Sequence, residues 1–241
     1  MPNSAAANAG TAVSAASASS TQTGRFRGLL TRTLSAMVLA PLLFAAIWFG
    51  FPWIDLVAAI AAPIMVLEWI RLTPGRPFAR GLAILYALAA VVALLWLRHQ
   101  PGTGRETVLW IVACVIAADT GAYFLGSIAG GVKLAPSISP SKTWSGLIGG
   151  MCGAAVVSAL MGLVFQLGET LSLAAIGAGI AIVEQMGDLL ESAAKRRAGV
   201  KDSGRLIPGH GGLLDRVDGL IAILVVVALV RLVTGGDWPW A

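Results

Sequence analysis

Charged side chains are scarce in this sequence. Asp, Glu, Lys and Arg make up 12% of its residues, and 57% of its residues are hydrophobic. Soluble domains carry about 25% charged residues, so this chain lacks the charge needed to cover a globular surface in water. Cysteine is also rare. Cys114 and Cys152 fall inside apolar runs without the spacing of a disulfide framework or a metal site, and we expect both to be small buried hydrophobic residues.

Long apolar runs account for most of the chain. Each is close to the roughly 17–25 residues that cross the hydrocarbon core as a helix, and the seven lie near 34–50, 54–71, 81–98, 107–126, 144–166, 172–192 and 213–234. Their continuous apolar character excludes the alternating pattern of a membrane β-barrel. The sequence therefore predicts an all-α, polytopic transmembrane helical bundle of about seven spans. Because only Phe51, Pro52 and Trp53 separate the first two runs, a re-entrant hairpin there is the alternative.

Positive charge is divided unevenly between the two sides of these spans. With the amino end inside, the outside segments hold three basic residues, Arg98, Arg105 and Arg231. The inside segments hold thirteen, within 25–32, 71–80, 133–142 and 195–205. The positive-inside rule therefore predicts a cytoplasmic amino end and a carboxyl end on the outside. We expect an integral protein of the cytoplasmic (inner) membrane.

The same count orients the polar connections. The two longest, 127–143 and 193–212, both fall on the cytoplasmic side of the predicted bundle. Since these segments carry most of the polar side chains outside the spans, we expect the active site on the cytoplasmic side.

Four segments follow from these patterns. Residues 1–33 begin with 24 residues that are almost all small and uncharged, so we expect a disordered tail, followed by basic residues next to the membrane. Residues 34–98 form the amino-terminal transmembrane helices, of which the first is expected to be an uncleaved anchor. Residues 99–236 form a transmembrane domain that carries the two polar connections, and 237–241 form a short tail.

Several carboxylates lie where a membrane helix would not tolerate them without a role. They are Asp119 in the fourth span, Glu184, Asp188 and Glu191 near the inner end of the sixth, and Asp215 and Asp218 at the start of the seventh. The sixth-span acids are spaced i, i+4 and i+7, and the seventh-span acids i and i+3, so each set shares one helix face. Two such faces can converge on a divalent cation, and hard oxygen ligands suit Mg²⁺. The alternative is a set of ion pairs to Lys195, Arg196, Arg197 and Arg216.

The connection between these two helices, 195–212, combines basic residues with glycines. Glycine lets the backbone turn sharply and brings its N–H groups close to a ligand. Cations and backbone donors beside a carboxylate-held Mg²⁺ are what a polyphosphate requires, although the Walker pattern is absent. His210, which is flanked by glycines and precedes Asp-Arg-x-Asp, is a functional candidate.

The residues of this connection carry a family resemblance. Ser192 to Asp218 read S-A-A-K-R-R-A-G-V-K-D-S-G-R-L-I-P-G-H-G-G-L-L-D-R-V-D. This closely resembles the signature of the phosphatidate cytidylyltransferases (CDP-diacylglycerol synthases), with Ala194 at a position where the family has a larger apolar residue. The D-T-G-A-Y run from Asp119, the L-A-P-S-I-S-P-S-K-T-W-S-G run from Leu134 and the Q-x-G-D-x-x-E-S run from Gln185 resemble further family blocks. The resemblance covers roughly 80–234.

This resemblance implies a reaction in which the cytidylyl group of CTP is transferred to phosphatidate, giving CDP-diacylglycerol and pyrophosphate. It implies Mg²⁺, with or without a second, monovalent cation, and the Mg²⁺ ligands Asp188, Asp215 and Asp218. The residues implied to face phosphates are Lys195, Arg196, Lys201, His210 and Arg216. The residues implied to complete the substrate pocket are Ser139, Lys142, Thr143, Asp202, Gly211 and Gly212. The expected partners are CTP, phosphatidate and the lipid bilayer. Formation of a homodimer is left open, and binding of nucleic acid is not expected.

Two other functions remain as alternatives. A CTP-dependent kinase of polyprenols or phytol would need a base to take a proton from its alcohol acceptor. An ion-coupled transporter would use intramembrane acids along its path, whereas the acids here cluster at one end of the spans beside a basic, glycine-containing connection.

Overall fold

A computed structural model describes residues 37–204, 206, 211–236 and 238–240. The predicted disordered tail with its basic segment, 1–33, lies outside the described residues. The same holds for Arg205 and for the candidate His210.

Seven helices are described. They are α1 (Met37–Phe49), α2 (Trp53–Leu72), α3 (Pro77–Arg98), α4 (Gly104–Ala129), α5 (Trp144–Phe165), α6 (Thr170–Arg197) and α7 (Leu214–Thr234). From α2 to α7 each is long and apolar enough to cross a membrane. The described part of α1 is about 20 Å long at 1.5 Å per residue, shorter than the ~30 Å hydrocarbon core. The predicted polytopic helical bundle is confirmed, and the chain is an integral membrane protein.

Apolar side chains cover the outside of the bundle. Leu85 on α3, Val156 on α5 and Leu229 on α7 are each more than half exposed. An exposed apolar surface on this scale suits contact with lipid rather than water. Cys114 is buried, as predicted. The prediction for Cys152 is wrong, because this residue lies on an exposed face of α5, where an apolar thiol can contact lipid.

A two-stranded hairpin occupies the polar connection between α4 and α5. Strands β1 (Lys133–Ala135) and β2 (Ser139–Thr143) pair antiparallel, with Lys133 opposite Thr143. At the end of β2, the Thr143 hydroxyl accepts a hydrogen bond of 3.0 Å from Gly146 N and caps α5. The hairpin is a small addition to the predicted all-α fold, and it holds this connection against the bundle.

Close helix contacts are made through small residues. A Cβ at Gly121 of α4 would lie 2.3 Å from the Gly149 carbonyl oxygen of α5. A Cβ at Gly187 of α6 would lie 2.8 Å both from the Asp218 carbonyl oxygen and from the Ala222 side chain of α7. Small residues allow membrane helices to approach this closely. The second contact brings the acidic face of α6 against the start of α7.

The two ends of the bundle differ. One end, here the motif end, carries the hairpin and the described residues between α6 and α7, which are 198–204, 206 and 211–213. The opposite end is closed by apolar packing, where Trp240 stacks edge-on against Trp110 and Phe165. Trp240 belongs to the segment predicted as a short tail, and its side chain is buried.

Candidate functional site at the motif end

Three carboxylates from two helices meet at the motif end. Asp188 and Glu191 lie on α6 and Asp218 lies on α7, and each offers an oxygen within 4.8 Å of the others. Asp188 and Glu191 share a face because they are three residues apart. We call these three residues the carboxylate group.

Glu191 shows that the carboxylate group fits a cation. Its side chain is almost fully buried, with the residue 1% exposed. No described residue donates a hydrogen bond to its Oε1 atom. A buried carboxylate oxygen without a donor is unfavourable, and a hard divalent cation such as Mg²⁺ would satisfy it. Sequence reasoning placed Glu191 on the acidic face but not among the ligands, although its i+3 spacing from Asp188 was the available signal.

Asp215 lies apart from the carboxylate group. Its Oδ2 accepts hydrogen bonds from Ser203 N (2.9 Å), Ser203 Oγ (3.0 Å) and Gly212 N (2.8 Å). Its Oδ1 accepts a hydrogen bond of 2.8 Å from Lys195 Nζ. In this position Asp215 joins the two ends of the connection between α6 and α7. Its role as a metal ligand stays a prediction.

Lys195 links Asp215 to the carboxylate group. Its ammonium lies 2.6 Å from Glu191 Oε2 and 2.8 Å from Asp215 Oδ1. The Lys195 side chain is 12% exposed. A cation shared by two buried carboxylates holds both in fixed positions, because loss of the cation would leave uncompensated buried charge.

Lys142 reaches the carboxylate group from the hairpin. Its ammonium forms an ion pair with Asp188 Oδ2, while Asp188 Oδ1 accepts a hydrogen bond of 3.2 Å from Ser192 Oγ. Burial lowers the pKa of Lys142, but the charge and hydrogen bond of Asp188 outweigh it, and the net effect raises the pKa above 10.5. The Lys142 side chain is therefore a cation at physiological pH.

Three further residues implied to face phosphates, Arg196, Arg216 and Lys201, are described at the motif end. Arg196 donates a hydrogen bond of 3.2 Å from Nε to the Ile138 carbonyl oxygen and so ties the hairpin to α6. Arg216 lies on the exposed side of the first turn of α7. Lys201 is exposed beyond the end of α6. These three cations thus lie on elements of the motif end, on α6, after α6 and on the first turn of α7.

The implied pocket residues divide into two groups. Ser139 and Thr143 belong to β2, where the Thr143 hydroxyl is engaged as the cap of α5. Asp202 instead lines a cavity of about 480 Å³ together with Lys201 and Arg71. Arg71 was assigned only a topological role from the sequence, and the structure places it in the cavity wall.

Gly211 and Gly212 leave room for carboxylates. A Cβ at Gly211 would lie 2.6 Å from Asp215 Oδ2, and its φ of +86° is one that side chains rarely adopt. A Cβ at Gly212 would lie 2.1 Å from Ser203 Oγ and 2.4 Å from Glu68 Oε1. Glycine is thus required at both positions, because other side chains of the protein lie too close for a Cβ atom.

Glu68 is a part of this end that sequence reasoning missed. It lies on α2, is 3% exposed, and accepts hydrogen bonds from Ser203, Leu213 and Leu214. A carboxylate within the second apolar run, in addition to Asp55 at its start, was the available signal. Its partners are 135 to 146 residues away in sequence, so spacing could not reveal them.

Comparison with known proteins agrees with this architecture. The model of the cytidylyltransferase family matches residues 75–234, which include the carboxylate group, Lys195 and the connection between α6 and α7. The chain belongs to the cytidylyltransferase family.

Proteins named phosphatidate cytidylyltransferase are among the relatives of this family member. That of Brucella suis is 40% identical over 176 residues, which are 73% of this chain and 64% of the Brucella protein. That of Pseudomonas aeruginosa is 37% identical over 202 residues, covering 83% of this chain and 72% of the relative. That of Rickettsia bellii is 33% identical over 211 residues, covering 84% and 90%. The chain thus spans less than two thirds of the length of the Brucella relative, and Glu68 lies outside the range that the family model matches.

Proposed function

We propose that this protein transfers the cytidylyl group of CTP to phosphatidate, giving CDP-diacylglycerol and pyrophosphate. The observation that carries the proposal is the carboxylate group, Asp188, Glu191 and Asp218, beside the cations Lys142 and Lys195 at one end of a membrane bundle. Acids for a metal and cations for phosphates are the inventory that nucleotidyl transfer needs. The family and the names of the relatives support the same reaction.

The carboxylate group is the proposed Mg²⁺ site. Asp188, Glu191 and Asp218 would hold the ion, and Glu191 Oε1 would gain the partner that it lacks among the described residues. When bound, Mg²⁺ neutralises charge on the polyphosphate and stabilises charge that develops on it. Asp215 is proposed to fix the connection between α6 and α7, because its oxygens already accept hydrogen bonds from Ser203, Gly212 and Lys195.

The reaction needs no strong general base from the protein. A phosphate oxygen of phosphatidate, largely ionised at pH 7 as in phosphomonoesters generally, attacks the α-phosphorus of CTP. A new P–O bond forms there, the bond from the α-phosphorus to the bridging oxygen of the β-phosphate breaks, and pyrophosphate leaves with that electron pair. The barrier lies in bringing two polyanions together, so positioning by fixed cations provides most of the catalysis.

Each cation has a proposed place in this chemistry. Lys195 and Lys142 lie against the carboxylate group and would orient phosphate oxygens next to it. Lys201 and Arg71 line the neighbouring cavity and would attract the nucleotide. The distribution of positive charge in the sequence favours the cytoplasmic face of the cytoplasmic membrane for this end. Association of two copies, and a second, monovalent cation, stay predictions.

A reconstitution assay tests the reaction. The purified full chain in vesicles is incubated with labelled CTP, Mg²⁺ and phosphatidate, and lipid-soluble nucleotide is measured. We expect product only when all three components are present. Label transfer from γ-labelled CTP to a polyprenol or phytol would instead support the kinase, and solute uptake without CTP would support a transporter. Absence of lipid-soluble nucleotide under all conditions would refute the proposed function.

A further inference from the structure

A buried carboxylate on α2 holds both ends of the connection between α6 and α7. Glu68 Oε1 accepts a hydrogen bond of 2.9 Å from Leu213 N, and Oε2 accepts one of 2.8 Å from Leu214 N. Ser203 Oγ lies 3.1 Å from Oε2 and shares its single proton between this oxygen and Asp215 Oδ2. Ser203 lies after α6 and Leu213 before α7, so a single side chain fixes where the connection leaves one helix and enters the next.

These contacts cap α7 from another helix. The first N–H groups of a helix have no partner within it, and the residue before α7 is Leu213, whose side chain cannot accept a hydrogen bond. Glu68 provides the missing acceptors and places negative charge at the positive end of the helix dipole. Each carboxylate oxygen of Glu68 accepts a hydrogen bond from a backbone N–H group. A glutamine side chain has only one oxygen, so in either orientation it could accept a hydrogen bond from only one of these two N–H groups.

A continuous set of contacts joins Glu68 to the carboxylate group. Ser203 Oγ lies 3.1 Å from Glu68 Oε2 and 3.0 Å from Asp215 Oδ2. Asp215 pairs with Lys195, and Lys195 pairs with Glu191. Displacement of Ser203 would therefore displace Asp215 and the ammonium that sets the position of Glu191.

The packing around Glu68 leaves little freedom for another arrangement. A Cβ at Gly204 would lie 2.5 Å from Glu68 Oε1. The Glu68 residue itself is 3% exposed. The next turn of α2 bears Arg71 and Leu72, which line the cavity with Ser203 and Gly204. One face of α2 thus both anchors the connection and forms a wall of the cavity beside it.

We propose that Glu68 is a positioning residue of the active site, which sets the geometry of the carboxylate group through Ser203, Asp215 and Lys195. This inference rests on the proposed function. It assigns part of the catalytic apparatus to α2, a helix that precedes the residues matched by the family model.

Kinetics of the full chain in detergent or vesicles tests this role. Glu68→Gln is compared with Glu68→Asp and with the control Glu169→Gln, which changes an exposed glutamate at the start of α6. Turnover and the Mg²⁺ concentration for half-maximal activity are measured on the monodisperse fraction only. Loss of an outer partner of a metal site typically costs about 10- to 100-fold, and we expect a loss of this size for Glu68→Gln, with a higher Mg²⁺ requirement. Glu68→Asp, which keeps both acceptor oxygens, should recover part of the activity.

A purely structural role gives a different result. The yield of folded Glu68→Gln protein would fall, but its folded fraction would keep normal turnover and a normal Mg²⁺ requirement, and this outcome would overturn the proposal. If Glu68→Gln does not fold, Ser203→Ala tests the proposal instead, because it removes the hydroxyl between Glu68 and Asp215. This variant should also lower turnover and raise the Mg²⁺ concentration for half-maximal activity.

Hydrogen exchange separates this inference from the proposed function. The peptide that contains 211–214 should exchange faster in Glu68→Gln than in Glu169→Gln, since Leu213 and Leu214 lose their acceptors. If the wild-type protein makes no lipid-soluble nucleotide, the proposed function fails, while exchange still decides whether Glu68 holds the connection. Equal exchange in the two variants would show that it does not.

Discussion

The ammonium of Lys142 forms an ion pair with the carboxylate of Asp188 and thereby fastens the hairpin to α6. Asp188 is also held by Ser192 one turn later on the same helix. A carboxylate proposed to bind Mg²⁺ is thus fixed from two sides. The hairpin, which begins and ends outside the membrane-spanning helices, contributes a cation directly to the site.

Lys142→Met should lower turnover by about 10-fold or more, the effect of removing one positioned charge from a phosphoryl-transfer site. The matched control is Lys133→Met, because Lys133 lies on the other strand of the same hairpin and is exposed. The assay is formation of lipid-soluble nucleotide by equal amounts of folded protein. Similar turnover in the two variants would exclude a role for the Lys142 charge.

The contribution of Lys142 should not depend on pH across the neutral and moderately alkaline range. Asp188 raises the pKa of Lys142 above 10.5 against the opposing effect of burial. A cation with a raised pKa keeps its interaction below its ordinary pKa and loses it only as the pH rises through the raised value. The ratio of wild-type to Lys142→Met turnover should stay constant from about pH 7 to about pH 9.5. Parallel pH profiles check this, and a ratio that falls within that range would contradict it.

Asp218→Asn should remove activity without unfolding the protein. Asp218 is the residue of α7 that belongs to the carboxylate group. A metal ion stabilises the reacting charge by several kcal/mol, so we expect turnover to fall by about 100-fold or more when this ligand is lost. Turnover is measured alongside the elution profile and thermal stability of the purified variant. Near-normal turnover with intact protein would remove Asp218 from the metal site.

Glu191 and Asp215 should respond differently to substitution. Glu191→Gln should raise the Mg²⁺ concentration for half-maximal activity by about 10-fold, because it takes a ligand from the proposed site. Asp215→Asn should raise that concentration less than Glu191→Gln does while it lowers turnover, because Asp215 reaches the carboxylate group only through Lys195 and accepts its other hydrogen bonds from Ser203 and Gly212. Mg²⁺ titrations of both variants make the comparison. The opposite pattern would return Asp215 to the ligand set.

The contrast between Glu191 and Asp215 shows what the sequence could reveal. Helix periodicity alone places Asp188 and Glu191 on one face, and long apolar runs alone predict the spans. The family signature points to the acids at the start of α7. None of these patterns reports that Asp215 turns towards Ser203, because that contact depends on how the chain folds back between two helices.

Glu68 illustrates the same limit at longer range. Its partners lie on a connection 135 to 146 residues further along the chain, and no local pattern encodes such a distance. An isolated acid in an apolar run predicts a role but not a partner. The hairpin is similar, because its two short strands are set by pairing and by the cap of α5 rather than by alternating hydrophobicity.

Thr107→Val should destabilise the protein while its turnover at low temperature stays normal. The buried Thr107 hydroxyl accepts hydrogen bonds from Trp240 Nε1 (2.9 Å) and Arg231 Nη1 (3.2 Å) at the end opposite the active site. Valine has the same shape but no acceptor, so both buried donors lose this partner, at a cost of about 1–3 kcal/mol.

Thermal unfolding of Thr107→Val is best compared with that of Thr234→Val, whose hydroxyl is exposed on α7 near the same end and bonds only to its own helix in the described contacts. We expect a clear fall in the midpoint for the first variant and little change for the second. The expected normal turnover follows from distance, since Thr107 lies in the first turn of α4 whereas the carboxylate group lies near the end of α6 and the start of α7. A large loss of turnover in folded Thr107→Val would mean that the packing around Trp240 governs the motif end as well, and the separation of the two ends would then be wrong.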